Sequence, residues 1–145
     1  MDQTAKALLL DYAMSFVGIP YKFGGSNSIS GMDCSGYVIQ LMQSVGLLPF
    51  GFDTTAAGLY IHFSKVNGLL CTRPSFGALA FYGKSIMNIG HVAFCVSEHL
   101  MLEAGGGDSS VKDITTADQK NAFIRMRPVL QRKDFLAAAM PNYKF

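Results

Sequence analysis

An α+β architecture, with helices ahead of an antiparallel sheet, is the fold class this sequence predicts, and three observations carry it. Apolar residues recur at helical spacing in the first segments, while short β-like runs bounded by Gly, Ser or charge fill most of the rest. The 145 residues suit one hydrophobic core that needs no disulfide or metal staple. With half of the residues apolar and 15% charged, the composition excludes a long disordered tail. No repeat, low-complexity tract or Pro/Gly linker divides the chain, so residues 1–145 read as one domain.

The elements follow in order. Thr4–Val17 places Ala5, Leu8, Leu9, Tyr12 and Phe16 on one helical stripe, which Gly18 and Pro20 stop. Tyr21–Gly31, rich in Gly and Ser, reads as an irregular loop. A second helix begins near Asp33. Val38, Leu41, Met42 and Val45 recur at i, i+3, i+4 and i+7, with Gln40, Gln43 and Ser44 on the other side and Gly46 as the stop. Thr54–Phe63 reads as a further short helix. Ala78–Tyr82, Val92–Val96 and Leu100–Ala104 are apolar strands. Ala122–Arg127 alternates, with Ala122, Ile124 and Met126 on one side and Phe123, Arg125 and Arg127 on the other. Asp134–Met140 suggests a closing helix.

Charge and cysteine usage narrow the function classes. A net charge of +2 from 12 scattered Lys and Arg gives no nucleic-acid footprint, and the one dense stretch, Arg125–Lys133, is broken by apolar residues. Apolar runs such as Leu8–Leu10 are far too short to span a bilayer. The N-terminus lacks the Lys/Arg head and long apolar stretch of a secretory signal. The expectation is either a mature secreted form or cytoplasmic synthesis with delivery by another route. Cys34, Cys71 and Cys95 make no metal-ligand spacing and leave an odd thiol after any pairing, so free thiols are the simpler reading.

Chemistry enters at Cys34, a thiol at the start of a helix. Unpaired N–H groups and the helix dipole favour a thiolate there, and Gly31 and Gly36 let a substrate backbone approach. A free cysteine is more commonly a small buried hydrophobe, so a base is required. His91 follows Gly90 and opens the strand Val92–Val96, whereas His99 falls in the next turn and His62 in a helix. A third group should orient the imidazole. Glu103 is a candidate because an acid within the apolar run Leu100–Ala104 is costly without a partner. A three-residue turn at Ser97–His99 puts His91 and Glu103 on one sheet face, and a two-residue turn puts them on opposite faces.

Four blocks in order complete the picture: Gly18–Ile19–Pro20–Tyr21 with Gly24–Gly25, Asp33–Cys34–Ser35–Gly36, the strand Phe76–Tyr82, and Gly90–His91–Val92. Together they resemble the signature blocks of NlpC/P60 cysteine peptidases, over roughly Leu8 to Ala104. The resemblance implies a papain-like α+β fold that cleaves stem peptides of bacterial peptidoglycan, typically between γ-D-glutamate and the diamino acid, with no metal or other cofactor. Carried over, it makes Cys34 the nucleophile and His91 the proton shuttle, with the Cys34 N–H in the oxyanion site. Tyr21 lies beside the thiol to aid the oxyanion or orient substrate, and Asp33 and Ser35 contact the peptide. Two departures stand out. Relatives usually carry His, Asn or Gln where this chain has Glu103, and Asp where it has Ala78. A carboxylate orients imidazole as well as an amide does, and Ala78 marks a lost structural contact. Residues Gly105–Ser110 resemble phage and prophage members, which implies association with phage tail or lysis machinery. Competing readings are an amidase or acyltransferase acting on a non-wall substrate, and a catalytically idle module that binds wall peptides or builds a tail tip. The intact Cys, His and acid set argues against the idle module.

Overall fold

The computed structural model describes residues 1–145. Helix α1 (Gln3–Met14) starts where the Asp2 carboxylate accepts from the Ala5 N–H at 2.7 Å. Leu9, Ala13 and, just beyond the helix, Phe16 face the core, while Leu8 is 65% exposed. The buried stripe thus runs i, i+4, i+7 from Leu9, one position round from the expected line. Gly18, at φ +95°, turns the chain away. The loop that follows is irregular except for a small ribbon, β1 (Ser26–Asn27) paired with β2 (Gly31–Met32). Helix α2 (Cys34–Ser44) ends just before Gly46 and buries Ser35 to Ile39, Leu41 and Met42. It is therefore a central helix rather than a surface one. Helix α3 (Ala56–Ile61), capped by Thr55, runs into a π-helical turn at His62–Val66.

Six strands form one antiparallel sheet: β3 (Gly68–Cys71), β4 (Leu79–Ser85), β5 (Asn88–Cys95), β6 (Leu100–Gly105), β7 (Phe123–Pro128) and β8 (Phe135–Pro141). Their order is β3-β8-β4-β5-β6-β7, with helix α4 (Ile114–Gln119) between β6 and β7 in sequence. The helix expected over Asp134–Met140 is the strand β8. Its alanines suit a helix on propensity alone, but Leu79↔Ala139, Ala80↔Ala138 and Phe81↔Ala137 pair on one side and Leu69↔Met140 on the other. Ladder bonds on both edges outweigh the local preference. Strand β3 and helix α4 escaped the sequence reading, because four and six residues are too few to show a period. None of the helices is long and apolar enough to cross a membrane.

Alternation along the strands sorts side chains between two faces. Leu79, Phe81, Val92, Phe94, Leu102 and Ala104 join α1, α2 and α3 in the main core. Ala78, Ala80, Tyr82, Ala93, Cys95 and Met101 face the other way, where Val129 from the short 3-10 turn Val129–Gln131 covers them. His91 and Glu103 belong to this second face by the same alternation.

Candidate active site

Cys34 is the first residue of α2, half-buried, and a local network holds it there. Asp33 caps the helix: its Oδ1 accepts from the Gly36 N–H at 2.7 Å and from the Ser35 hydroxyl at 3.2 Å. The Oδ2 accepts from the Gly24 N–H at 3.0 Å, which ties the preceding loop to the helix start. Gly36 is required for that tie, since a Cβ there would collide with the Gly25 carbonyl oxygen. The other thiols are unlike Cys34 in setting. Cys95 is fully buried and burial pushes its pKa up to about 12; burial also pushes Cys71 upward.

The β5–β6 turn decides the geometry of the other two groups. Phe94↔Leu102 and Cys95↔Met101 set the register, and the Val96 N–H bonds the Leu100 carbonyl at 2.9 Å, leaving Ser97, Glu98 and His99 as a three-residue turn. His91 and Glu103 consequently share a face, and His91 Nε2 lies 2.6 Å from Glu103 Oε2. Both side chains are buried, at 7% and 1% exposure. The bond to Glu103 occupies Nε2 and leaves Nδ1 as the ring nitrogen free to serve the thiol.

Electrostatics link the three. Burial alone lowers the His91 pKa, but hydrogen-bonding contacts to Cys34 and Glu103 and the charges of both groups overcome it and raise the value to about 9. The Cys34 sulfur is thus close enough to the His91 ring for the two groups to influence each other's charge. Burial would raise the Glu103 pKa, yet the hydrogen bond to His91 and the positive charges of His91, Arg127 and Arg132 hold it below the ordinary carboxylate range. Tyr21 is buried beside the pair, and burial together with the charges of Cys34, Asp33 and Asp108 raises its phenol well above the ordinary value. Its hydroxyl keeps its proton at any working pH and can donate. Gly107 packs so closely on the Tyr21 ring that a Cβ there would collide with it.

Sequence-predicted residues therefore converge: Cys34, His91 and Glu103 in one cluster, with Tyr21, Asp33 and Ser35 around the helix start. His62, between Phe52 and Phe63, and the exposed His99 stand apart. Tyr82, whose ring is 5.5 Å from that of His91, and the arginines 127 and 132 were not singled out from the sequence. A usable signal existed, because the alternating Phe123–Arg125–Arg127 side of β7 faces Glu103 once β6 and β7 pair.

The chain and its fold have known counterparts. The family model for the NlpC/P60 family matches residues 18–128. The chain is 26% identical over 119 residues to the probable peptidoglycan endopeptidase LytE of Bacillus subtilis, a match covering 80% of this chain. It spans about a third of that relative's length (32%). Among solved structures, the P60 domain of an antigen from M. avium subspecies paratuberculosis superposes with a TM-score of 0.70 at 19% identity, covering 99% of this chain and 98% of that one. The peptidoglycan hydrolase RipB of Mycobacterium tuberculosis superposes at 0.64 with 20% identity, covering 100% of this chain and 70% of that one. The structural likeness speaks for the fold and the sequence match for the lineage: this chain belongs to the NlpC/P60 family.

Proposed function

We propose that the chain is a thiol endopeptidase of bacterial peptidoglycan, cleaving a stem-peptide amide between γ-D-glutamate and the diamino acid. The observation that supports this most directly is the half-buried Cys34 beside the buried His91–Glu103 pair with its 2.6 Å bond, in a chain of this family. In the proposed mechanism His91 Nδ1 takes the thiol proton as Sγ of Cys34 attacks the amide carbonyl. The oxyanion is met by the Cys34 N–H at the start of α2 and by the protonated Tyr21 hydroxyl. The tetrahedral intermediate collapses as the imidazolium hands its proton to the departing amine, leaving an acyl-thioester. Water, deprotonated by His91, then adds to the thioester and releases the γ-glutamyl acid and the thiol. Glu103 holds the ring in register and stabilises its cationic form.

Asp33 and Ser35 are proposed to meet the free amino end of the stem peptide. The Asp33 oxygens accept three bonds from the chain itself and retain lone pairs for an ammonium. A phage-associated role, with delivery to the wall by a phage route, is a further part of this reading and is supported by the sequence of Gly105–Ser110 alone.

The test is mass spectrometry of fragments released from peptidoglycans of different stem chemistry. New γ-D-glutamyl carboxylates and diamino-acid amines are expected from the wild type and none from Cys34→Ala. Undiminished cleavage by Cys34→Ala would refute the mechanism. A wild type inert on every wall but active on simple amides would move it to the amidase reading, and one inert on both would make it a binding module.

A further inference from the structure

We infer that Arg127 is a positioning residue of this site: its guanidinium is the counter-charge that keeps Glu103 serviceable as the partner of His91. This rests on the thiol-peptidase reading above. Pairing of β6 with β7 sets Arg125 opposite Glu103 and Arg127 opposite Met101, so both arginines share the face that carries Glu103. Three guanidinium groups surround the carboxylate, and two are otherwise engaged. Arg125 stacks on the Phe123 ring at 4.7 Å. Arg132 lies over the Tyr82 ring at 5.4 Å and bonds both oxygens of Asp134 at 3.0 Å. Only Arg127 comes within ion-pair distance, its Nη1 lying 3.3 Å from Glu103 Oε1, with side-chain exposures of 26% and 1%.

The two carboxylate oxygens are thus divided between partners. Oε2 serves His91, while Oε1 is buried with no aligned hydrogen-bond donor; Arg127 is the one guanidinium within ion-pair distance of it, and Arg132 acts from further away. Burying a carboxylate is costly unless a cation compensates it, and the imidazole does so only while it carries its second proton, which it gives up and regains during the reaction. A guanidinium is charged at every working pH and so supplies what the catalytic ring cannot. The groups facing Glu103 and His91 are Cys34 from α2, Tyr82 from β4 with Arg132 and Asp134 behind it, and Arg125 and Arg127 from β7. Without Arg127, Glu103 takes a proton at higher pH and the His91 ring loses an acceptor that demands its N–H.

The experiment reads the ratio of activity at pH 5 to that at pH 7, both for peptidoglycan cleavage and for alkylation of Cys34 by iodoacetamide. In Arg127→Met the ratio should fall by about three- to tenfold, since each unit of displaced protonation is worth about tenfold on an acid limb. Arg127→Lys should recover most of it. In Glu103→Gln, whose side chain does not ionise, changing residue 127 should leave the ratio within about twofold. Equal losses in both backgrounds would mean a merely structural role and overturn the inference, as would an unmoved ratio in Arg127→Met. Should Arg127→Met fail to fold, Arg127→Gln carries the same expectations. The alkylation arm needs no wall substrate, so a wild type inert on peptidoglycan would defeat the proposed function while this arm still judged Arg127.

Discussion

One ring nitrogen of His91 is spoken for, and its chemistry follows from that. Glu103 at 2.6 Å from Nε2 makes the imidazole donate there and accept at Nδ1, the tautomer a base for Cys34 needs. Glu103→Gln preserves an acceptor but removes the charge. Cleavage is expected to fall about ten- to a hundredfold and not vanish, whereas Glu103→Ala should cost more, as steady-state rates on peptidoglycan would reveal. An unchanged rate in Glu103→Ala would remove it from the site. In the proposed mechanism the imidazolium protonates the leaving amine, and because contacts with Cys34 and Glu103 raise the His91 pKa to about 9, that cation is lost above that pH. The rate should decline above about pH 9, and in Glu103→Gln the decline should begin at lower pH.

At the scale of elements, the start of α2 is where sequence and function meet. Asp33 accepts from Gly36, Ser35 and Gly24, so one side chain both caps the helix and fastens the preceding loop to its start. Asp33→Ala should destabilise the fold by about 1–2 kcal/mol, measured by denaturant midpoint. Gly36→Ala is expected to cost about 1–3 kcal/mol, because its Cβ meets a backbone carbonyl rather than a side chain that can turn aside. A stability equal to wild type for Gly36→Ala would show that the 24–25 loop yields freely. This helix was legible because its cap, its i, i+3, i+4, i+7 apolar positions and its Gly46 stop all agree. Strand β8 was not, because Leu136–Ala139 carries no period-2 contrast and its identity comes from neighbours distant in sequence.

Over the whole molecule, the buried His91–Glu103 pair couples stability to pH. The raised His91 pKa contributes stability that is complete below its ordinary value of 6.5 and lost as pH rises through about 9. The lowered Glu103 pKa contributes stability present above its ordinary 4.5 and lost as pH falls through the lower folded value. The two contributions overlap fully between 4.5 and 6.5, where the pair supports the fold most. Thermal melts should show the Tm decreasing from pH 6.5 to 9, and a Glu103→Gln chain should show a flatter profile over that range. An identical slope in the two proteins would assign the effect elsewhere.

By itself the sequence determined the class of fold and the helix that presents Cys34, because both are written in local spacing and caps, and it nominated His91 over His62 and His99. It also named Glu103, and it reduced the face question to the parity of one turn. Only the tertiary structure decided that parity, the insertion of β8 between β3 and β4, and the arrival of Arg127 beside Glu103. The physical reason is common to all three. Strand pairing is a contest among long-range partners, and its outcome depends on which side chains the rest of the molecule has already buried.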